Sequence, residues 1–331
     1  MKTLRQIITL ALMVIIGFSC SQSKSQKDIS KSDPLNHWNE GSVKASILSF
    51  VKKATDETDP NFVPVPDRVA VFDMDGTILL EKPNPVNFDV IIRIMVEQMT
   101  SNPALTQKQP YKAIHEQDWA YFDTLGYYGD DGLYSILLKV TAGYTEDQYR
   151  NFILQYFNTV TDKRFNKPYN QLVYVPMVQL FQYLHENQFE VYIVSGSDPQ
   201  FTRAFCEKAM NIPAQNVIGS TVLTKWVETD TGSYFIRVHE FVEPVNDEGG
   251  KPVNILNKIG RIPVLAVGNS AGDYHMLEYS KNVPFSLQMI INHDDSVREY
   301  DYEAAKMKIL CQENRWQEVS MKNDFKVIFG E

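Results

Sequence analysis

The stretch Val69-Ala-Val-Phe-Asp-Met-Asp-Gly-Thr-Ile78 joins a short apolar run to two aspartates. Its first four residues predict a buried strand. Two acids, a glycine and a hydroxyl residue follow directly: Asp73, Asp75, Gly76 and Thr77. Open α/β sheets bind their ligands at the carboxyl ends of strands. Two carboxylates placed there cost free energy unless a cation joins them, so the pair predicts Mg²⁺ and phosphate chemistry. An ordinary strand with an Asp-Gly turn is the simpler alternative.

Composition narrows the class of protein. The chain has 331 residues, of which 44% are apolar and 22% charged, as in soluble globular proteins. This length allows one large domain with an insertion, or two domains. The formal net charge is −9, and there is no Lys/Arg run. The acidic balance argues against nucleic acid as a main partner.

The N-terminal segment has the composition of an export signal. Lys2 and Arg5 precede the apolar stretch 7–18, which suits a secretory signal core and is too short to span a bilayer comfortably. The junction that follows resembles a bacterial lipoprotein signal, with Cys20 as the lipidated residue. We expect a signal peptide over 1–19 and a periplasmic or outer-membrane-associated lipoprotein that meets the membrane only through its lipid. A plain cleaved signal is the alternative.

Hydrophobic periodicity predicts the remaining organisation. Residues 20–60 have the pattern of a tether and an amphipathic helix. Residues 61–80 and 171–331 alternate apolar runs with helical patterns, which predicts an α/β core with a mostly parallel sheet and helices on both faces. Residues 81–170 show helical patterns without a convincing strand, which predicts an inserted all-helical cap.

Several elements of the core can be predicted individually. Apolar runs predict strands at 191–194, 264–267 and 285–291, and a turn at 230–232 predicts a hairpin. Helical spacing and capping residues predict helices at 177–185, 198–210, 252–259, 273–279 and 297–310. Cys206 and Cys311 lie in no Cys-x-x-Cys spacing, which argues against a metal or redox motif. We expect two structural thiols, and a disulfide between them in an exported protein stays open as the alternative.

Three further segments place polar groups at predicted strand ends or helix starts. Ser195-Gly-Ser-Asp198 offers a hydroxyl and backbone N–H groups to a phosphate oxygen, although alone it is most simply a turn with a helix cap. Lys251 opens a helix, where a cation opposes the helix dipole unless an anion lies beside it. Gly268-Asn-Ser-Ala-Gly-Asp273 is a strand-to-helix loop with two candidate metal ligands. Each segment alone is weak evidence for a site, but all three lie at predicted strand ends or helix starts, which supports one common site.

In this order, Asp73-Met-Asp-Gly-Thr77, Ser195, Lys251 and Gly268-x-Ser-x-Gly-Asp273 resemble the haloacid dehalogenase superfamily of phosphohydrolases. The layout is similar to the phosphoserine-phosphatase-like branch of that superfamily. The resemblance covers residues 65–80 and 175–290, and the helical insertion falls where that branch carries its cap.

The resemblance implies a role for each motif. Asp73 would be the nucleophile and Asp75 the acid/base. The phosphate would be held by five residues: Gly76, Thr77, Ser195, Gly196 and Lys251. Mg²⁺ would be held by Asp73, Asp75, Asn269 and Asp273. Position 269 is usually Asp in the family; an amide oxygen still suits Mg²⁺ but lacks the charge, so we expect Asp273 to contribute more to metal binding.

These features predict a Mg²⁺-dependent phosphomonoesterase that acts through an aspartyl-phosphate intermediate. The substrate would be a small phosphorylated metabolite, because a closing cap excludes large substrates and water. Phosphoserine-like esters are one option. A phosphorylcholine-type ester is another, because segment 118–131 combines aromatic and acidic residues. A phosphomutase or phosphotransferase on the same core, and a binding lipoprotein without activity, are the rival classes; the oligomeric state stays open.

Two other sites are ambiguous in the sequence. Glu81 could meet a substrate amino group or be an ordinary surface acid. The cluster His293–Tyr300 could line the site entrance, but a helix start capped by Asp294 or Asp295 is the favoured interpretation.

Overall fold

A six-stranded parallel sheet forms the centre of the protein. The computed structural model describes residues 33–330, and Cys20 and the predicted signal lie outside them. The strands are β1 Val69–Phe72, β2 Glu190–Val194, β3 Val217–Ile218, β4 Val222–Thr229, β5 Gly232–Phe241, β6 Leu265–Gly268, β7 Leu287–Asn292 and β8 Gln317–Ser320. The sheet has the order β3-β2-β1-β6-β7-β8, and β4 and β5 pair separately as an antiparallel hairpin.

The winding of the sheet explains why its centre is a binding position. From β1 the chain runs outward through β2 to β3, then returns to the other side of β1 and continues through β6, β7 and β8. Phe72 of β1 is therefore flanked by Ile193 of β2 and by Val267 of β6. Ligands in such sheets bind where the winding direction reverses, beyond the carboxyl ends of the strands. The predicted α/β core with a mostly parallel sheet is confirmed.

Helices surround the sheet and fill the segment between β1 and β2. They are α1 Ser42–Thr55, α2 Val86–Ser101, α3 Tyr111–Glu116, α4 Ala120–Asp123, α5 Leu133–Thr141, α6 Glu146–Thr159, α7 Val175–Glu186, α8 Pro199–Arg203, α9 Cys206–Met210, α10 Gly250–Ile259, α11 Tyr274–Ser280, α12 Ala304–Asn314 and α13 Met321–Asp324. Within the described residues, no helix combines the length and apolar character needed to cross a membrane.

The helical insertion and the hairpin pack together. Residues 81–170, all of them described, contain α2–α6 and no sheet strand. Gly143, after α5, donates its N–H to the backbone oxygen of Arg237 in β5 at 2.9 Å. The buried Arg237 side chain pairs with Asp198 and with Glu146 of α6. The hairpin therefore connects the insertion to the segment after β2, while the domain boundaries derived from the sequence stay predictions.

Two predicted helices differ from the observed ones. The helix expected over 198–210 is divided into α8 and α9, although Asp198 caps it as predicted by accepting from the N–H of Gln200. The helix expected from 297 begins only at Ala304, because Asp295 accepts the N–H groups of Val297 and Arg298 and closes a local turn. The structure has no helix start at Asp294 or Asp295.

The two cysteines in the described part of the chain are buried free thiols. Burial raises the pKa of both, to about 11 for Cys206 and about 12 for Cys311. Thiols with raised pKa values are poor nucleophiles and poor metal ligands. The expected structural thiols are confirmed.

Candidate active site

The first motif turns sharply where β1 ends. The backbone oxygen of Met74 accepts the N–H groups of three successive residues, 77, 78 and 79. Gly76 lies inside this turn at φ 77°, a region that favours glycine. A Cβ at Gly76 would also lie 2.0 Å from Nδ2 of Asn269, so glycine is required on two counts. The turn brings the loop after β1 against the loop after β6.

Lys251 joins these two loops. Its Nζ lies 2.7 Å from Oδ1 of Asp73 and 2.6 Å from Oδ1 of Asp273, and all three side chains are buried. Burial alone would lower the pKa of Lys251, but the charges of Asp273 and Asp73 outweigh it and hold the pKa above its usual value. The lysine is therefore a permanent cation. Its position on the first turn of α10 is stabilised by the two anions beside it.

Asp273 is occupied by the protein on both oxygens. Its Oδ1 accepts from Lys251, and its Oδ2 accepts the N–H groups of Asn269 and Ser270 at 3.0 and 3.1 Å. A Cβ at Gly268 would come within 2.5 Å of the Asp273 side chain. These contacts make Asp273 the residue that shapes the loop and positions Lys251. Its expected contribution as a metal ligand stays a prediction.

Asp73 and Asn269 turn side-chain oxygens toward one hydroxyl. Oγ1 of Thr77 lies 3.4 Å from Oδ2 of Asp73 and 3.2 Å from Oδ1 of Asn269. Burial and the neighbouring Asp273 raise the pKa of Asp73 well above its usual value, and Lys251 opposes this rise. A cation beside Asp73 would stabilise its ionised form further.

The donor set of this loop pair fits Mg²⁺. The described residues 33–330 contain no group of three His, Cys, Asp or Glu side chains arranged for a metal. However, Mg²⁺ usually needs only one or two carboxylates, with waters and substrate phosphate completing its shell. Asp73 Oδ2 and Asn269 Oδ1 supply hard oxygen donors of that kind. They are the residues that could hold the ion.

Asp75 differs from Asp73 in its partners. Its Oδ2 accepts from Oγ of Ser197 at 3.1 Å, whereas its buried Oδ1 has no hydrogen-bond partner in the described part of the chain. Burial and the charge of Glu81 raise the pKa of Asp75 to about 7, while Ser197 and Lys251 oppose this rise. A carboxyl group with this pKa can both give and accept a proton at neutral pH.

The loop after β2 is fixed from two sides. Ser195 accepts the N–H of Ser197 on its Oγ at 3.0 Å, and its backbone oxygen accepts from Nδ2 of Asn246 at 2.7 Å. The Ser195 hydroxyl proton has no assigned acceptor among the described residues, so it can donate to a ligand oxygen. Beside it, a Cβ at Gly196 would lie 3.1 Å from the hydroxyl of Tyr134, so a larger residue there would require a small shift of that ring.

The contacts of Ser197 and Asn246 could not be predicted from the sequence motifs. Ser197 lies in the Ser195–Asp198 motif, and its position in the loop that follows β2 could have indicated that its hydroxyl reaches the site. Asn246 is fully buried and also donates its backbone N–H to Oγ of Ser220. Nothing in its local sequence indicates this, because the contact joins parts of the chain 51 residues apart.

The cluster after β7 lies behind the first motif. His293 is 1% exposed, with its Nε2 at 2.7 Å from the backbone oxygen of Gly76 and its Nδ1 at 3.0 Å from Oε2 of Glu299. Tyr302 donates its hydroxyl to Oε2 of Glu81 at 2.9 Å. Glu81, which the sequence left ambiguous, is therefore part of a connected polar network beside the catalytic loop.

The aromatic segment of the insertion is partly exposed. Tyr127 and Tyr128 are 56% and 55% exposed, and Tyr128 donates its hydroxyl to Oδ2 of Asp247 at 2.9 Å. Burial and the charges of Glu81, Asp247 and Asp75 raise the pKa of Tyr127. Tyr127 and Tyr128 pack against Tyr134, whose hydroxyl lies 3.1 Å from the position of a Cβ at Gly196, so this segment lies beside the loop after β2.

Solved structures of similar fold include several proteins of low identity. A conserved functionally unknown protein from Anaerococcus prevotii is 15% identical, with a TM-score of 0.58 over 89% of this chain and 97% of that chain. A phosphoserine phosphohydrolase-like protein from Francisella tularensis is 19% identical, with a TM-score of 0.42 over 78% and 95% of the two chains. Cytosolic 5'-nucleotidase IIIB bound to cytidine is 12% identical, with a TM-score of 0.48 over 84% and 86%. At 15% identity, the first of these structures shows a similar fold and no more.

A comparison with protein-family models shows to which family the chain belongs. A search of curated proteins gave no significant match. The sequence model of the haloacid dehalogenase-like hydrolases matches residues 70–278, which is more than half of the chain. This range includes Asp73, Asp75, Ser195, Lys251 and Asp273, the residues that the structure brings to one edge of the sheet. The chain therefore belongs to the haloacid dehalogenase-like hydrolase family, as the sequence predicted.

Proposed function

We propose that the protein is a Mg²⁺-dependent phosphatase that hydrolyses a small phosphate monoester through an aspartyl-phosphate on Asp73. The observation that carries this proposal is the division of labour between the two aspartates. Asp73 contacts Lys251 at 2.7 Å, whereas Asp75 accepts from Ser197 on one oxygen and has no partner on the other in residues 33–330. One carboxylate is thus suited to attack and the other to move protons.

Asp73 would attack phosphorus through one oxygen of its carboxylate. As this O–P bond forms, the bond from phosphorus to the ester oxygen breaks in line with it. Lys251 favours the ionised form of this carboxyl by donating to its Oδ1, which opposes the rise in pKa caused by burial and Asp273. Asp73 and Asn269 would hold the Mg²⁺, whose charge offsets the repulsion between a carboxylate and a phosphate.

Asp75 would handle the protons of both half-reactions. In the first, its carboxyl donates a proton to the departing alkoxide, and the alcohol leaves. In the second, its carboxylate removes a proton from the water that attacks phosphorus and releases Asp73. A pKa near 7 suits both steps because each protonation state is well populated at neutral pH. Ser197 orients the carboxyl by donating to Oδ2.

Lys251 and Ser195 would stabilise the charge that spreads over the phosphoryl oxygens. Both are nearly fully buried and are held by other residues before substrate arrives, Lys251 by Asp273 and Ser195 by Asn246. Groups preorganised in this way are worth more than the same groups in water, because they need not reorganise during the reaction.

A phosphoserine-like ester is the first substrate class to test. A phosphorylcholine-type ester is the second, because the exposed rings of Tyr127 and Tyr128 lie beside the loop after β2 and could contact a cationic group. We also propose that the protein is exported and attached to the membrane through lipid on Cys20, as the N-terminal sequence predicts. The protein would then act on esters outside the cytoplasm.

The test is release of free phosphate from a panel of small phosphate esters, with Mg²⁺ and with a chelator. We expect Mg²⁺-dependent release by the wild type and a loss on the order of 10³-fold or more in Asp73→Asn. The fold should survive in this variant, because Lys251 still pairs with Asp273; a thermal melt checks this. More than a few per cent of activity in folded Asp73→Asn would place the nucleophile elsewhere. Transfer of phosphate to a sugar, without free phosphate, would favour a phosphomutase.

A further inference from the structure

The amide of Asn269 must be oriented before it can bind a cation. Unlike the carboxylate that is usual at this position in the family, an amide has one end that can coordinate Mg²⁺ and one that cannot. The two ends have nearly the same shape, so packing alone does not distinguish them. Hydrogen-bond partners of fixed polarity must therefore decide which end faces Asp73.

Contacts on the two ends of the amide have the required polarity. Oδ1 lies 3.2 Å from the Thr77 hydroxyl, on the side of Asp73. Nδ2 lies 3.4 Å from Oε2 of Glu81, on the opposite side. An ionised Glu81 can only accept, so turning the amide over would bring two acceptor oxygens together. Glu81 thus favours the orientation in which Oδ1 faces Asp73.

Glu81 is in turn held by Tyr302. The Tyr302 hydroxyl donates to Oε2 of Glu81 at 2.9 Å, the same oxygen that faces the amide. The Tyr302 ring stacks on His293, with centroids 4.2 Å apart and planes 24° apart. His293 is anchored between Gly76 and Glu299. Tyr302, His293 and Glu299 all follow residue 278, where the family match ends.

We propose that Glu81 and Tyr302 are positioning residues that hold the Asn269 amide with its oxygen toward Asp73, and so make a neutral side chain usable as a Mg²⁺ ligand. This inference rests on the proposed Mg²⁺-dependent function. It assigns a purpose to the segment after β7, which lies outside the matched family region. Residues that orient a ligand from behind commonly affect metal affinity as strongly as the ligands do.

The first measurement is Mg²⁺ affinity without substrate, by isothermal titration calorimetry on the full-length protein. Glu81→Leu should weaken binding by about tenfold, and Tyr302→Phe by a smaller factor, as for other residues that support metal ligands. Tyr300→Phe is the matched control: the same substitution two residues away, on a ring that contacts Phe165 and Arg164 instead. It should leave the affinity unchanged. Circular dichroism confirms that each variant is folded.

The second measurement repeats both substitutions in the Asn269→Asp background. A carboxylate has two equivalent oxygens and needs no orientation, so there the effects should shrink to within about twofold. Tyr302→Phe changes no charge, so its effect on Mg²⁺ affinity reports the orientation of the amide and not the loss of a negative charge near the ion. Equal losses in both backgrounds, or no loss in either, would overturn the inference. Absence of Mg²⁺ binding by the wild type would overturn it together with the metal requirement, whereas Mg²⁺ binding without phosphate release would contradict only the proposed function.

Discussion

At the scale of single residues, Asp75 gives a pH-dependent signature. Its pKa is about 7 in the folded protein, against 3.8 for an unperturbed aspartate. The folded state therefore binds a proton that the unfolded state releases, and stability falls as pH rises from about 4 to 7. Asp75→Asn removes this penalty. Without metal, the variant should exceed the wild type in unfolding free energy at pH 8 by on the order of a few kcal/mol, and by little at pH 4.

Urea unfolding in a chelator at the two pH values measures this difference. Asp301→Asn, a change at an exposed aspartate, is the matched control and should show no gain that depends on pH. An equal stability change at both pH values would mean that the Asp75 carboxyl titrates normally.

Asn269 provides a second prediction at this scale. Asn269→Asp should tighten Mg²⁺ binding several-fold and change the maximal rate less, because it adds charge beside the ion while Asp73 and Asp75 still supply the reacting groups. A titration of activity with Mg²⁺ compares the half-saturation points of the two proteins. An unchanged half-saturation point would show that residue 269 does not face the metal.

At the scale of elements, the turn after β1 depends on Gly76. Gly76→Ala must accept a left-handed conformation and a Cβ 2.0 Å from Asn269. Gly143→Ala is the matched control, since its φ is 88° and nothing lies within 4 Å of the added Cβ. The control should lose about 1–2 kcal/mol of unfolding free energy from backbone strain alone. Gly76→Ala should lose more and should also lose activity.

Thermal melts and phosphate release on the two variants separate the contributions. If Gly76→Ala and Gly143→Ala behaved alike in both assays, the approach of the two loops would not be important for the site. We expect instead that only Gly76→Ala disturbs Asn269 and the Mg²⁺ response, because only this Cβ meets a site residue.

At the scale of the whole molecule, anchoring and catalysis should be separable. The candidate site lies entirely within residues 33–330, whereas Cys20 precedes them. Cys20→Ser should therefore release the protein from membranes and leave phosphate release unchanged, since the lipid chains provide the stable attachment. Fractionation of cells that express each form, followed by an assay of both fractions, tests this. A variant that still sediments with membranes would show that lipid on Cys20 is not the anchor.

Most elements of the core and the motifs of the candidate site could be predicted from the sequence alone. Val69–Phe72 is buried on both faces of the sheet, so its apolar run is visible without any structure. The site residues lie directly after strands or at the start of helices, as Asp73, Lys251 and the Gly268–Asp273 loop do. A parallel sheet brings the carboxyl ends of its strands to one edge. Their convergence could be predicted because it follows from topology. The two-residue β3 was missed because it is too short to show a period.

The partners of each site residue depend on contacts between distant parts of the chain. Asp273 proved to hold Lys251 and its own loop, which no local pattern reveals. The late start of α12 follows from the side chain of Asp295, which closes a turn where apolar spacing had predicted a helix. The connections from Tyr302 to Glu81 and from His293 to Gly76 span 221 and 217 residues. Such contacts depend on how distant elements pack and on which polar group each buried atom finds, so a sequence pattern that reports local periodicity cannot contain them.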